Sequence, residues 1–429
     1  MKIAIAGYGV EGEANYRYWS KNPQNELTIV DEAVAPTHPL PEGAKTILGP
    51  GVFDKLEDFD LVIRTAGLAP KKIKTNGKVW SATNEFFEKC PARIIGVTGS
   101  KGKGTTTSLI ASILEKSGKR VWLVGNIGAA ALDVLDEVQP DDVVVYELSS
   151  FQLWDIERSP QTAIVLYIEP EHLNVHDDLE DYIKAKANIV LSQRSGDTVI
   201  YNADNDFASA IALKSPANNK IKYPDSERAH VEDGSFYYGS QKLFSVDALQ
   251  VKGQHNINNT LAAIDAVWPI TSDPDVIEAG VRAFSGLPHR LAFVRSVGGV
   301  SFYDDSIATT PGSAIAALRA FPDEHKVIIL GGSSKGSDFE PLVQEILRHD
   351  AKAILIGSEA NKIADELRGV GLTNFEIMQG EPMRLIVEKA KEMSGDAGVV
   401  LLSPAAASFG DFKDYADRGD QFIEAVNGL

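Results

Sequence analysis

The 429-residue chain contains a single cysteine, Cys90. No intrachain disulfide can staple the fold, which fits a reducing compartment. Set among Phe86, Phe87 and Pro91, Cys90 reads as a packed thiol rather than a nucleophile. Long apolar runs are missing too, and none approaches the roughly 20 residues of a membrane span. Positive charge is scarce: 42 Lys and Arg against 60 Asp and Glu leave a net charge of −18. Nucleic acid and anionic membrane would both meet general repulsion, so neither is expected as a partner. The sequence also shows no repeat of solenoid period, no low-complexity tract and no long Pro/Ser-rich linker. What remains is the composition of a soluble globular protein, 44% hydrophobic and 24% charged. The length exceeds one ordinary core, so two or three domains are expected. A strand pattern begins at Lys2, which leaves no room for a signal peptide and predicts a cytoplasmic protein.

With so few cations, a phosphate-bearing ligand has to be held by local positive clusters. The candidates are Lys101 with Lys103, Arg64 with Lys71 and Lys72, Arg290, and Lys335; Lys71 and Lys72 read better as solvated surface charges. The first cluster is the strongest. An apolar strand pattern, Arg93-Ile94-Ile95-Gly96-Val97, leads through Thr98-Gly99-Ser100-Lys101-Gly102-Lys103-Gly104-Thr105-Thr106-Thr107 into a helical pattern from Ser108. Glycines let backbone N–H groups approach phosphate oxygens, the helix N-terminus supplies partial positive charge, and Lys103 can bridge the terminal phosphates. Gly99, Ser100, Lys101, Gly102, Lys103, Gly104, Thr105 and Thr106 are the expected contacts. Gly104 stands where the usual pattern places a hydroxyl after the lysine, so Thr105 becomes the expected magnesium ligand. Glu147 closes the strand pattern Asp142-Val143-Val144-Val145-Tyr146. A carboxylate at a neighbouring strand end is what a phosphate-bound magnesium ion requires.

Residues 1 to 83 read as strand, turn and helix units, with strands at 2–6, 26–31 and 60–64. Gly7-Tyr8-Gly9-Val10-Glu11-Gly12 mimics a dinucleotide fingerprint, and Asp31 ends the second strand where a ribose-binding acid would sit. Such a turn alone is weak evidence for a nicotinamide cofactor. Residues 84 to 286 carry strands at 93–97, 120–124, 142–146, 162–168 and 197–201, with helical patterns between several of them. That alternation predicts a mostly parallel sheet covered on both faces. Between 220 and 252 shorter pieces suggest an antiparallel patch. From 287 onward, strands at 300–303, 326–330, 352–356 and 398–402 form a further unit. The expected fold is α/β in three domains: a Rossmann-like N-terminal domain, a central P-loop ATPase-type parallel sheet and a C-terminal Rossmann-like domain.

Other residues fall at the expected strand ends. His172 follows strand 162–168, at the same sheet edge as Glu147. The helical stretch from Tyr182 to Ala187 carries Lys184 and Lys186. Asn256 and Asn259 lie one turn apart on a helix opened by Gly253, where they could bond an adenine ring or cap the helix. In Gly286-Leu287-Pro288-His289-Arg290, a permanently charged guanidinium could clamp nucleotide phosphates. Loops 331–339 and 402–410 should emerge at the carboxyl edge of the third sheet, where ligands of such folds bind.

The cradle, taken with Glu147-Leu148-Ser149-Ser150-Phe151-Gln152-Leu153, resembles the Mur ligase family, and matching stretches run from Gly125 to Arg418. The resemblance is looser in the N-terminal third. It implies an ATP- and Mg2+-dependent enzyme, expected as a monomer, that joins glutamate to UDP-N-acetylmuramoyl-L-alanine through an acyl phosphate. Whether D- or L-glutamate is used stays open. The resemblance assigns 1–83 to the UDP substrate, 84–286 to ATP and 287–429 to glutamate. Gly9, Val10, Glu11 and Asp31 would edge the uridine diphosphate, with Asn126 and Ser149 on the same substrate. His172 becomes a second metal ligand. Lys186 becomes a carbamylated lysine, a CO2 adduct that replaces a cation by a metal-binding carboxylate near two magnesium ions. The implied catalytic set is thus Lys103, Glu147, His172 and Lys186, and the metal set Thr105, Glu147, His172 and Lys186. Asp305 would take the nucleotide ribose beside Arg290, Asn256 and Asn259, and Lys335, Ser408, Phe409 and Tyr415 the glutamate. The family usually has lysine where Ile307 stands and often phenylalanine where Tyr415 stands. Folylpolyglutamate synthase, a relative, shares the loop but has no use for an N-terminal domain of this size. A nucleotide switch without ligase activity and a nicotinamide-dependent oxidoreductase are the readings from other classes.

Overall fold

The computed structural model describes every residue except 37, 174, 252, 334–336 and 409. The chain forms two compact units, Met1–Ser285 and Gly286–Leu429. In the first unit, β1 (Lys2–Ala6), β2 (Glu26–Asp31), β3 (Lys45–Leu48), β4 (Leu61–Arg64) and β5 (Lys78–Ser81) make a parallel sheet in the order β3-β2-β1-β4-β5. Strand order reverses at β1, so the turn after it opens into the crevice where such sheets bind ligands.

The second sheet holds β6 (Arg93–Thr98), β7 (Val121–Gly125), β8 (Val143–Glu147), β9 (Thr162–Val165), β10 (Thr198–Asn202) and β11 (Asn219–Tyr223), all parallel, in the order β11-β10-β9-β6-β8-β7. Every residue of β8 is buried. A sheet covered on both faces needs apolar side chains on both, hence the unbroken Val143-Val144-Val145 rather than an alternating pattern. The antiparallel patch is β12 (Ala229–Glu232), β13 (Ser235–Tyr238) and β14 (Gln241–Ser245). The helix Ala82–Lys89, capped by Ser81, runs across position 83/84, so the first two sheets are joined by structure rather than by a linker.

In the second unit, β15 (Ala292–Val297), β16 (Val300–Asp304), β17 (Lys326–Gly331), β18 (Lys352–Ile356), β19 (Phe375–Ile377) and β20 (Gly398–Leu402) are ordered β15-β16-β20-β17-β18-β19. Only β15 is antiparallel to its neighbour. Among the described residues, no helix is long and apolar enough to cross a membrane.

Candidate active site

Strand β6 ends at Thr98 between β8 and β9, and the glycine loop follows. Gly99 and Gly102 have φ of +155° and +87°, and Cβ atoms there would lie 2.7 Å from Leu166 Cβ and 2.3 Å from Asn259 Oδ1. Conformation and space both exclude a side chain. Gly102 precedes the helix Lys103–Lys116, whose first-turn N–H groups lack intrahelical partners and face the loop. Lys103 Nζ folds back to donate to the carbonyls of Gly99 and Ser100, 3.1 Å each. Thr107 donates back into its own helix, leaving Thr105 half-buried in the first turn. Asn259 abuts Gly102 and donates to Asn256 Oδ1 at 3.3 Å, so the asparagine pair stands against the cradle.

The register pairs Glu147 with Val97, placing this carboxyl, 4% exposed, at the same edge. Lys186 comes in on the helix Leu179–Leu191, 1% exposed, and donates to Gly99 O at 2.8 Å. Burial, and then the charge of Lys103, push the Lys186 amine well below the ordinary lysine range, against the pull of Glu171 and Glu147. After β9, Glu171 Oε1 meets Lys101 Nζ at 2.8 Å. Burial raises the Glu171 carboxyl, but Lys101, Lys103 and His172 outweigh it and hold the group below its usual value. His172, left-handed at φ +58°, is lowered by burial, with Lys103 and Lys186 adding to the effect and Glu171 opposing it. Lys186 thus lies within electrostatic reach of Lys103, Glu147 and His172.

Among the described residues, no three His, Cys, Asp or Glu side chains are grouped as a metal cage. The donors present, the Glu147 carboxylate and the Thr105 hydroxyl beside a phosphate cradle, nevertheless fit magnesium, which takes one or two protein carboxylates and completes its shell from phosphate and water.

Two residues missed in the sequence hold this rim together. Tyr182 Oη lies 2.8 Å from Ser100 Oγ, which also bonds the backbone C=O and N–H of Glu169. Its place one turn before Lys186 was the available signal. His176, 2% exposed, joins Ser150 Oγ at 2.9 Å to Asp181 Oδ2 at 2.8 Å, tying the helix Ser150–Leu153 to the one carrying Lys186.

Arg64 is no phosphate cation. It is fully buried and grips Asp155 through Nε and Nη2, while Lys71 pairs with Asp177 at the surface. Cys90 is half-buried, and burial raises its thiol pKa. At the first sheet's carboxyl edge, Asp31 accepts from the N–H groups of Tyr8 and Ala33 at 2.6 and 2.8 Å, and Glu11 from that of Ala66 at 2.7 Å. Both carboxylates shape the turn, with Gly9 and the exposed Val10 at its outer edge. The loop beginning Thr65-Ala66 after β4 packs beside Gly7; nothing in its sequence marks it. Asn126 is exposed after β7. Ser149 caps the helix Ser150–Leu153 in a full capping box with Gln152.

In the second unit, the loops after β17 and β20 run side by side, with Gly331 N donating to Pro404 O at 2.7 Å and Ser333 N to Ala407 O at 2.8 Å. Ser408 is buried there and Tyr415 partly exposed; Lys335 and Phe409 lie outside the described residues. Asp305 accepts from Leu291 N at 3.0 Å and Ser403 Oγ at 2.6 Å, and burial lifts its pKa to about 6. Arg418, fully buried, donates to the hydroxyl and carbonyl of Ser306 at 2.9 and 2.7 Å. Ile307 donates its N–H to His289 O at 3.1 Å, and no lysine stands in its place.

Residues 97–267 match the model of the Mur ligase middle domain, and residues 289–406 that of the Mur ligase, glutamate ligase domain. The UDP-N-acetylmuramoylalanine--D-glutamate ligase of Clostridium tetani is 35% identical over 454 residues, covering 100% of this chain and 97% of the relative. That of Acetivibrio thermocellus is 37% identical over 407 residues, covering 90% and 86%. Among solved structures, the UDP-N-acetylmuramate-alanine ligase MurC of Thermotoga maritima has a TM-score of 0.60 at 19% identity, covering 100% of this chain and 99% of that one. A folylpolyglutamate synthase of Mycobacterium tuberculosis has a TM-score of 0.59 at 14% identity, covering 80% and 94%. At such identities these two structures speak for the fold alone.

Proposed function

The chain belongs to the Mur ligase family, and from that premise we propose that it is an ATP-dependent ligase joining D-glutamate to UDP-N-acetylmuramoyl-L-alanine in peptidoglycan precursor synthesis. The observation that carries the reading is the convergence of Lys103, Glu147, His172 and Lys186 on one glycine cradle, in a chain whose full-length relatives bear that name. Residues 1–83, 84–286 and 287–429 would serve the UDP substrate, ATP and glutamate in turn, in a cytoplasmic monomer.

In this mechanism, the cradle amides and Lys103, exchanging its carbonyl partners for phosphate oxygens, hold the triphosphate. The substrate carboxylate attacks the γ-phosphorus, the bond to the ADP oxygen breaks, and an acyl phosphate forms. The amine of D-glutamate attacks the acyl carbon; the tetrahedral intermediate expels phosphate and loses a proton. Lys103 and the first-turn amides stabilise the charge passed to phosphate. Thr105 and Glu147 would hold one magnesium ion and His172 with a carbamate on Lys186 another, which when bound neutralise phosphate charge. Burial of Lys186 beside the charge of Lys103 favours the neutral amine that adds CO2. Asn256, Asn259, Arg290 and Asp305 would contact the nucleotide. The half-buried Gly9 and exposed Val10, on the turn that Glu11 and Asp31 shape, and the exposed Asn126 are the candidates for the UDP substrate. Lys335, Ser408, Phe409 and Tyr415 would receive glutamate.

The test is phosphate release from ATP and magnesium with UDP-N-acetylmuramoyl-L-alanine and each enantiomer of glutamate. Release with D-glutamate, lost on Lys103→Ala, supports the reading. No release with either enantiomer, or release indifferent to the amino acid, refutes it.

A further inference from the structure

We propose that Asp304, and Asp305 in addition to its own proposed contact with the nucleotide, position Arg290 by holding the segment 286–291 in the shape that presents its guanidinium. The inference rests on the reading of Arg290 as a nucleotide-binding residue.

The segment's own hydrogen bond, from Arg290 N to Leu287 O at 3.2 Å, closes one turn and does not reach Leu291. Gly286 has φ of +115°, His289 +58° and Leu291 +45°. The residues immediately before and after Arg290 are therefore both left-handed and non-glycine, a conformation that a branched side chain such as leucine rarely adopts. Arg290 itself is exposed, so packing around its side chain does not supply the restraint. The end of β16 does. Asp304 Oδ2 lies 2.6 Å from His289 Nδ1, with Asp304 fully buried and His289 8% exposed. Its other oxygen accepts from Ser306 N at 3.0 Å. Asp305 Oδ1 accepts from Leu291 N at 3.0 Å. One acid thus fixes the residue before Arg290 and the next acid the residue after it.

Both acids have firm anchors. Asp304 pairs with Leu402 in the sheet register, Asp305 N donates to Leu402 O at 2.8 Å, and Ser403 Oγ fixes Asp305 Oδ2. Gly419 packs against this pair so tightly that a Cβ there would lie 2.1 Å from His289 Nδ1 and 2.9 Å from Asp304 Oδ2. Two adjacent buried carboxylates cost more desolvation than apolar side chains would. Packing alone does not call for them, whereas a directed grip on one imidazole and one N–H does.

The test is a double-mutant cycle on the full chain with ATP kinetics as the readout. Asp304→Ala should lower kcat/KM for ATP at least tenfold and leave KM for the UDP substrate within twofold. In an Arg290→Ala background the same change should cost less than twofold, because the residue it positions is gone. Without any substrate, hydrogen exchange at the Leu291 amide should accelerate in Asp305→Ala. If Asp304→Ala fails to fold, His289→Ala takes its place in the cycle. An equal loss in both backgrounds, or unchanged exchange at Leu291, overturns the proposal. Unchanged ATP kinetics in Arg290→Ala alone would instead overturn the reading of Arg290 on which it rests.

Discussion

Removing Asp155 should cost the first unit more stability than removing its partner, Arg64. The guanidinium is fully buried, and every one of its donors has an acceptor. Nε and Nη2 go to Asp155, Nη2 also to Phe151 O at 2.9 Å, and Nη1 to the carbonyls of Thr65 and Leu68 at 3.3 and 3.4 Å. Asp155 keeps 23% of its side chain in solvent. Asp155→Ala therefore strands a charge with no route to water, which costs about 3–5 kcal/mol. Arg64→Met leaves a carboxylate that can hydrate and three carbonyls short of a donor, a loss of about 1–3 kcal/mol. With an m-value of about 3 kcal/mol/M in urea, expected toward the top of the range for a unit of this size, Asp155→Ala should lower the midpoint by about 1–1.7 M and Arg64→Met by clearly less. All five tryptophans, Trp19, Trp80, Trp122, Trp154 and Trp268, lie in the first unit, so tryptophan emission follows that unit alone. A larger shift for Arg64→Met than for Asp155→Ala would refute the reasoning.

A Cβ on Gly280 would lie 2.4 Å from Ile113 Cα, on the backbone of the helix whose first turn lines the cradle. Gly280→Ala should cost at least about 2 kcal/mol in thermal unfolding, whereas Gly369→Ala, with nothing within 4 Å of the added atom, should be neutral or stabilising by up to about 1 kcal/mol. Asp265, 1% exposed, has its pKa raised from 3.8 to about 8, chiefly by burial. Between those values the unfolded chain releases a proton that the folded chain keeps, so stability falls as pH rises across that window and levels off above it. Urea midpoints measured from pH 4 to pH 8 should show this slope, and Asp265→Asn should flatten it.

The parts legible in the sequence are those whose cause is local. Strands β6 and β8 are covered on both faces and are rich in β-branched residues, and the cradle is a contiguous glycine and lysine pattern ending in a helix. The strands β3, β5, β15 and β19 have no counterpart among the expected ones, and each is an edge strand. Lys45-Thr46-Ile47-Leu48, for instance, is largely exposed and becomes a strand only through pairing with β2, so its own residues carry little signal. Arg64 misleads for the same reason: the cations grouped with it, Lys71 and Lys72, follow it in the sequence, but its partner Asp155 lies 91 residues away. His176 and Tyr182 sit in a stretch where His172 and Lys186 draw attention, and only the tertiary fold gives them partners, Ser150 for His176 and the loop residue Ser100 for Tyr182. Ser149, expected on a ligand, has its hydroxyl in a helix cap, an arrangement that Ser149 and Gln152 three residues apart already encode.

The charge around the cradle links the acidic composition to the choice of ligand. Lys101 faces Glu171 at 2.8 Å and Glu169 at 3.8 Å, Lys103 rests on carbonyls, and Lys186 feels both Glu171 and Glu147. With the Lys186 amine pushed towards its neutral form, Lys101 and Lys103 face three carboxylates, so the protein alone offers a triphosphate dipoles and no net attraction. Turning Lys186 into a carbamate, as we propose, would make that balance more negative and a free polyanion less welcome still. The same change makes the rim attractive to divalent cations, and a triphosphate carrying magnesium then arrives with the charge that the lysines lack. A buried lysine whose environment disfavours the ammonium form is thus consistent with a site that recognises the metal–nucleotide complex rather than the bare nucleotide, in a chain whose net charge of −18 would otherwise repel both the nucleotide and the sugar nucleotide.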